Sequence, residues 1–166
     1  MKKGFTMIEL IFVIVILGVL ASVAIPRLAA TRDDAEMARA ATNLSTAVGD
    51  IAAYYTAQGD FKKQSGTTRK AATLTDMTNA LDEVSNLTGY IKVKNKKCLT
   101  VTAAEGTGTT NAKITINKDS SNTDNACANL TKLSGIKNMC GTTGAANAQT
   151  AKFPCEINVG SSSVNF

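Results

Sequence analysis

An apolar segment near the N-terminus limits the possible folds of this chain more than any other feature. From Phe5 to Ile25 the sequence reads FTMIELIFVIVILGVLASVAI, and Glu9 is the one charged residue in it. At about 1.5 Å per residue, a helix of this length reaches roughly 30 Å, which is enough to cross the hydrocarbon core of a membrane. Three interpretations compete: a cleaved signal peptide, a membrane anchor and a buried core helix.

The signal-peptide interpretation has some support in the flanking residues. Lys2 and Lys3 precede the apolar segment, and Ser22 and Ala24 are small residues of the kind found at cleavage sites. The segment is nevertheless longer than a typical signal-peptide core, and it carries a carboxylate four residues inside. A core helix that is apolar on every side would need a larger protein around it.

Glu9 is the residue that separates these interpretations. A carboxylate inside an apolar span costs roughly 2.5–3.5 kcal/mol on insertion scales and usually has a function. No Lys or Arg lies within one helical turn of it in the full chain. Cleavage between Gly4 and Phe5 would create an α-amino group four residues before Glu9, on the same helix face and largely protonated at neutral pH.

The new amino group could pair with Glu9 of its own chain or with Glu9 of a neighbouring copy. A buried ion pair adds little stability but can specify the register between two chains. The pairing between copies therefore explains more of the pattern, and it predicts a chain that assembles with itself.

The segment KKGFTMIEL, followed by the apolar helix, resembles the class III signal and helix start of type IV pilins and type II secretion pseudopilins. Basic residues, Gly4, Phe5 and Glu9 all stand in the register of that signal, and the resemblance covers roughly residues 1–57. It implies that a prepilin peptidase facing the cytoplasm cuts after Gly4 and N-methylates Phe5. It also implies that Glu9 is the assembly carboxylate.

Gly18 and Pro26 predict a weak point in the long helix. Pro26 deprives the Ser22 carbonyl of its intrahelical partner, so we expect a kink there, and Gly18 makes the intervening segment the easiest to loosen. In pilins similar to this chain, such a segment can melt when subunits pack into the filament. A plain kinked anchor helix is the alternative interpretation.

Beyond Pro26 the sequence becomes amphipathic, with one apolar stripe at helical spacing formed by Ala41, Leu44, Val48, Ile51 and Tyr55. Gly59 is a natural stop. Residues 5–57 would form a helix of about 80 Å. The second half must be covered by the C-terminal domain, whereas the first half has only lipid or other copies to pack on.

The C-terminal domain is expected to be a mixture of short elements. Residues 68–84 predict a helix with Thr75 as the N-cap and one apolar face made by Leu74, Met77, Leu81 and Val84. Strands are predicted over residues 90–96, 98–103, 112–118 and 153–159. A helical turn is predicted over residues 126–133, and the Gly- and Ala-rich stretch after it is predicted to be a loop. The predicted fold is α+β and pilin-like: a long kinked N-terminal helix packed against a small antiparallel sheet.

Four cysteines lie in this domain: Cys98, Cys127, Cys140 and Cys155. There is no CxxC motif and no His, so an even number of cysteines in a domain with few aromatic residues indicates two disulfides. Three connectivities are possible, and the strand layout favours Cys98–Cys127, which leaves Cys140–Cys155. Type IV pilins often close a C-terminal loop with a cysteine pair, and the second pair resembles it.

A row of lysines gives the strongest hint of a further partner: Lys92, Lys94, Lys96 and Lys97. They could contact DNA phosphates, but lysines on an exposed strand more often keep an edge soluble. The net charge of +5 is too small to indicate nucleic-acid binding by itself.

Metal-binding and catalytic patterns are weak or missing in the sequence. Asp119, Asn122 and Asp124 could supply oxygen ligands to calcium, but their spacing fits no calcium loop, and a solvated turn accounts for them better. No nucleotide-binding loop, nucleophile motif or paired-carboxylate cleft is recognisable. We therefore expect no enzyme, no cofactor and no metal.

The chain divides into a leader (1–4), a transmembrane and assembly helix (5–25), an amphipathic continuation (26–57) and a globular disulfide-containing domain (58–166). The expected function is that of a type IV pilin, processed by prepilin peptidase and polymerised through its N-terminal helix. A type II secretion or competence pseudopilin is the alternative, and a membrane-tethered binding domain that never polymerises is a third hypothesis.

Partners and location follow from the resemblance. The expected partners are copies of the chain, other pilins or pseudopilins, the prepilin peptidase, the inner-membrane assembly platform and lipid. The chain would cross the bacterial inner membrane once, with a cytoplasmic N-terminus and a periplasmic C-terminal domain, and would then enter a pilus or pseudopilus. Because Arg27 and Arg32 follow the span, this orientation depends on the signal type and the cysteines rather than on counting positive charges.

Overall fold

A computed structural model describes residues 4–107, 110–121, 123–145 and 148–160. The chain forms two compact units, one ending at Ala35 and the other beginning at Glu36. In chain order the elements are α1 (Met7–Gln58), β1 (Lys62–Ser65), β2 (Thr68–Ala71), α2 (Leu74–Met77), β3 (Asp82–Ser85), β4 (Thr88–Val93), β5 (Lys96–Ala104), β6 (Ala112–Lys118), α3 (Asn125–Leu130), α4 (Ser134–Cys140), β7 (Thr142–Thr143), β8 (Thr150–Ala151) and β9 (Cys155–Val159).

The long helix α1 begins and ends within two residues of the predicted limits. It contains a stretch that is long and apolar enough to cross a membrane, and none of that stretch is buried in the structure. The α-helix is continuous through Gly18 and Pro26. A bend at Pro26 and a melted segment in a filament therefore stay predictions.

In the second unit, one face of α1 forms part of the hydrophobic core. Ala40, Leu44, Ala47 and Ile51 are fully buried, at the 3–4 residue spacing that the apolar stripe predicted. The predicted members Ala41, Val48 and Tyr55 are partly buried against the same core. The buried line is thus rotated slightly from the predicted one, towards Ala40 and Ala47.

The sheet that covers this face has five antiparallel strands in the order β3-β4-β5-β6-β9. Buried and partly exposed residues alternate along β4 and β6, as expected for strands with one face on a core. The predicted strands within residues 90–118 and 153–159 are confirmed. The α+β class with a long helix on a small antiparallel sheet is confirmed as well.

The helix predicted over residues 68–84 is wrong. This region forms strand β2 of a hairpin with β1, the single helical turn α2 and the edge strand β3. The N-cap of α2 is Thr73 rather than Thr75, and Asp76 accepts hydrogen bonds from the Thr73 N–H and O–H groups at 2.8 Å each. Leu74 is buried, but Leu81 and Val84 lie outside α2, because Asp82 and Ser85 pair with β4 instead.

Around the predicted helical turn, the structure adds an element that the sequence did not suggest. α3 confirms a helix near residues 126–133, whereas α4 forms where a Gly- and Ala-rich loop was expected. Ile136 is completely buried, and Met139 and Cys140 pack against the core. Burial of these three side chains outweighs the low helix propensity of Gly135.

Both disulfides have the favoured connectivity. Cys98–Cys127 joins β5 to α3, and Cys140–Cys155 joins α4 to β9, each with a Cα–Cα distance of 5.0 Å. The two links therefore attach the two short helices to strands of the sheet.

Candidate functional site

The first turn of α1 is closed by reciprocal hydrogen bonds between Thr6 and Glu9. The Thr6 carbonyl accepts the first helical hydrogen bond, from the Leu10 N–H at 3.3 Å, which makes Thr6 the N-cap. Oε2 of Glu9 accepts from the Thr6 N–H at 2.8 Å and from the Thr6 hydroxyl at 2.7 Å. The Glu9 N–H points back to Thr6 Oγ1 at 3.4 Å. This arrangement is a capping box.

Sequence reasoning overlooked Thr6. We expected Glu9 to need a cation, yet in the structure its carboxylate already has two hydrogen-bond donors from Thr6. The signal was readable, because a Thr followed three residues later by a Glu, just before an apolar run, is the sequence mark of a capping box. Among the residues that the structure describes, only Oε2 of Glu9 is engaged in this way, so Oε1 remains available to another donor.

Gly4 and Phe5 precede the helix. Both residues are exposed and neither is helical. The peptide bond between them therefore lies in accessible chain, directly before the capping box. Their proposed cleavage and methylation concern a segment that an enzyme could reach.

Apolar side chains cover every side of α1 from Met7 to Leu28. Each large one is at least 43% exposed, and Phe5 before them is 88% exposed. A surface of this size without partners in a single chain marks a region that lipid or another protein covers. At Gly18, an added Cβ would meet no atom within 4 Å, so nothing in the described chain requires glycine there.

Two lysines of the row share one carboxylate. Glu83 contacts the ammonium groups of both Lys92 and Lys97, and Lys97 also lies 4.0 Å from the centre of the Tyr90 ring. Hydrogen bonds from the two lysines lower the pKa of Glu83 to about 2, and the bond to Glu83 raises the pKa of Lys97. This pairing reduces the positive charge that the row could offer to DNA phosphates.

The suggested calcium ligands have other roles in the structure. Asp119 Oδ1 accepts hydrogen bonds from the N–H and hydroxyl of Ser121, at 2.9 and 2.5 Å. Asp124 caps α3 by accepting from the Ala126 N–H at 2.8 Å. Asn122 lies outside the described residues. Over the part of the chain that the structure describes, no group of three or more acidic, Cys or His residues could hold a metal ion.

Comparison with known proteins gives one match. Residues 1–25 match the family model of the prokaryotic N-terminal methylation motif, which is the class III signal of type IV pilins and pseudopilins. The motif indicates a pilin-like or pseudopilin precursor, which is a kind of structural subunit, and with the apolar helix it fits a membrane-anchored protein. No curated protein matches the chain, and no solved structure does.

Proposed function

We propose that this chain is a type IV pilin, a structural subunit that is cut by prepilin peptidase and polymerises through α1 into a pilus. One observation carries the proposal: the matched methylation motif coincides with the start of α1. There Glu9 takes part in a capping box with Thr6, and the apolar side chains that follow are left exposed by the chain itself. A passive tether needs neither the cleavage motif nor the carboxylate.

In this proposal the peptidase cuts after Gly4 and methylates the new amino group of Phe5. The N-terminus is then cytoplasmic, the helix crosses the inner membrane, and the domain from residue 58 folds in the periplasm. Two disulfides support this orientation, because disulfides form and persist in oxidising compartments such as the periplasm.

Assembly then depends on Glu9. The Thr6 donors hold Oε2 at the start of the helix, and Oε1 is free to accept the Phe5 amino group of a neighbouring subunit. That contact fixes the depth of one subunit against the next, while the apolar surface of α1 packs against other copies, other pilins or lipid. The inner-membrane assembly platform is the remaining expected partner.

A type II secretion or competence pseudopilin shares the same N-terminal motif and is the alternative. The Cys140–Cys155 pair favours a pilin, because the resemblance associates a C-terminal disulfide loop with type IV pilins and its lack with major pseudopilins.

N-terminal sequencing of the membrane form tests the processing step. The mature chain should begin with N-methylated Phe5 and continue Thr-Met-Ile-Glu. A mature start near Ile25 would instead show ordinary secretion and would end the filament proposal.

The assembly step is tested by Glu9→Leu in a strain that has no wild-type copy. The variant should be cut after Gly4 and accumulate in the membrane, because its span is more apolar, but it should not enter filaments. Ser22→Ala, which removes another polar side chain from the same span, is the matched control and should assemble. Normal filament yield from Glu9→Leu would return the chain to the tether hypothesis.

A further inference from the structure

The two edges of the five-stranded sheet differ in how they are protected. β3 forms one edge, where Asp82 and Glu83 are exposed. Glu83 has a φ of 47°, and the register with β4 is irregular between Asp82 and Ser85. Charged side chains and irregular pairing of this kind discourage a further strand from pairing at an edge. β9 forms the other edge, and its register with β6 is regular over its whole length.

β9 has backbone groups without partners along its outer side. Within the residues that the structure describes, the strand from Cys155 to Val159 forms backbone hydrogen bonds only to β6. In an antiparallel strand the N–H and C=O groups of alternate residues point to opposite sides, so half of these groups point away from β6. Pro154 has no N–H, and an added Cβ at Gly160 would collide with the Tyr55 ring. The edge that another strand can reach is therefore β9 itself.

The sequence of β9, Cys-Glu-Ile-Asn-Val, is complementary to itself in one antiparallel register. With Ile157 opposite Ile157 of a second copy, Glu156 lies opposite Asn158, and Cys155 lies opposite Val159. Residues opposite each other share one face of a sheet, so the Asn158 amide can donate to the Glu156 carboxylate on the exposed face. On the other face the two Ile157 side chains, each half-buried in a single chain, would cover each other.

Other registers fit less well. A shift of one residue would bring the apolar side chains of β9 to the exposed face of the partner strand. A parallel pair in register, or an antiparallel pair centred on Glu156, would place two Glu156 carboxylates side by side, and like charges in that position are destabilising. Glu156 is the one charged residue of β9, and Lys113 on β6 contacts it at 2.7 Å. The register centred on Ile157 therefore brings two copies together without opposed like charges.

We infer that β9 binds β9 of a second copy of this chain in the antiparallel register centred on Ile157, and so joins two five-stranded sheets into one. The register forms about four to six new backbone hydrogen bonds. The contact is isologous and closes at two copies, so it cannot by itself build a polymer. It goes beyond the proposed function and does not rest on it, because every group involved lies in the second compact unit.

Cross-linking that depends on the register tests this contact in the full chain, kept in detergent micelles. Glu156→Cys and Asn158→Cys are prepared separately, mixed and oxidised. In the proposed register the two new thiols lie opposite each other, at a Cα–Cα distance of about 4.5–5.5 Å that a disulfide can bridge. Two copies of the same variant would hold their thiols diagonally, about 7–8 Å apart, which is too far.

We therefore expect the mixture to form a disulfide-linked dimer at least several-fold faster than either variant alone. The matched control uses the other edge of the sheet. Glu83→Cys mixed with Ser85→Cys places two thiols on exposed residues of β3 with the same spacing, and this mixture should show no such preference.

Charge at the edge gives a second measurement, made by sedimentation equilibrium in the same detergent. Asn158→Glu puts a carboxylate opposite Glu156 at two symmetric positions and should weaken dimerisation about fivefold. Asn158→Gln keeps an uncharged amide and should not. Asn117→Glu adds the same charge at an exposed position of β6 that no residue of β9 opposes, and it should leave dimerisation unchanged.

Four results would overturn the inference. The first is a mixture that cross-links no faster than the single variants, and the second is equal dimerisation with Asn158→Glu and without it. Rapid cross-linking of Glu156→Cys alone would show a parallel contact instead. Cross-linking that appears only after removal of residues 161–166 would assign the edge to the C-terminus of the same chain. None of these results bears on the pilin proposal, which rests on α1.

Discussion

Glu9→Gln and Thr6→Ala distinguish the effect of the Glu9 charge on assembly from its effect as part of the helix cap. A glutamine side chain still accepts hydrogen bonds from the Thr6 N–H and hydroxyl, so Glu9→Gln keeps the capping box and removes the negative charge. Thr6→Ala removes the hydroxyl that donates to Oε2 at 2.7 Å and leaves the charge in place. If Glu9 pairs with the Phe5 amino group of a neighbour, the first substitution should be far more harmful.

The two expected losses differ by more than an order of magnitude. Loss of an N-cap side chain costs about 1 kcal/mol, which corresponds to about a fivefold smaller equilibrium constant for forming the ordered first turn. Removal of one partner from a buried ion pair costs about 3–5 kcal/mol, or at least a hundredfold in the equilibrium for adding a subunit. Thr6→Ala should therefore lower filament yield by at most about fivefold, and Glu9→Gln should lower it below detection.

The assay measures filaments sheared from cells that lack the wild-type copy, normalised to the amount of processed subunit in the membrane. Thr6→Ser keeps the hydroxyl and is the control for Thr6→Ala. The reasoning would be refuted if Glu9→Gln gave wild-type yield while Thr6→Ala gave none, because the carboxylate would then act as a helix cap and not as a charge.

Three further substitutions test the second unit. Leu44→Ala should lower the unfolding free energy by about 2–5 kcal/mol in chemical denaturation, because Leu44 is fully buried, whereas exposed Thr42→Ala should change it by less than about 0.5 kcal/mol. Thr78→Val should cost about 1–3 kcal/mol in the same measurement, because buried Thr78 donates to the Asp50 carboxylate at 2.7 Å. The pKa of Glu83 is lowered from 4.5 to about 2. Its ionised form therefore stabilises the folded state above the unfolded-state pKa, and this stabilisation is lost as the pH falls towards 2. Glu83→Gln should remove that part of the pH dependence of the unfolding free energy.

The spacing of apolar residues predicted those parts of the fold in which it follows one regular helical or strand period. The stripe containing Leu44 and Ile51 repeats over several turns, and both residues are fully buried in the structure. The alternation at Ile91 and Val93 likewise predicted a strand with one buried face. In both places local preference and tertiary burial favour the same structure, so the sequence alone was sufficient.

Residues 68–84 show why the rest could not be predicted. Leu74, Met77, Leu81 and Val84 have helical spacing, but β4 offers an edge with which residues 82–85 pair. A pairing partner that is supplied by tertiary structure cannot be seen in a window of sequence. The capping pair Thr73–Asp76 was visible and would have placed the start of α2 correctly.

The candidate site was predicted in its residues and not in its geometry. Gly4, Phe5 and Glu9 lie within the residues that match the motif, and their roles stay predictions, whereas the hydrogen bonds from Thr6 required the structure. Membrane insertion had suggested that Glu9 must find a cation. The structure shows that a neutral partner one turn away can satisfy one oxygen of Glu9, while the role of Glu9 in assembly stays a prediction.

The two halves of α1 have different surroundings, so substitutions in one half should not affect the other. The side chains of α1 up to Leu28 are exposed and contribute no member to the hydrophobic core, whereas Ala40, Leu44 and Ile51 are buried in it. Substitutions at distant sites with no shared partners usually have additive effects. A change at Glu9 should therefore alter filament yield without altering the unfolding of the second unit. A change at Leu44 should do the opposite, lowering the amount of folded subunit while the processing after Gly4 continues.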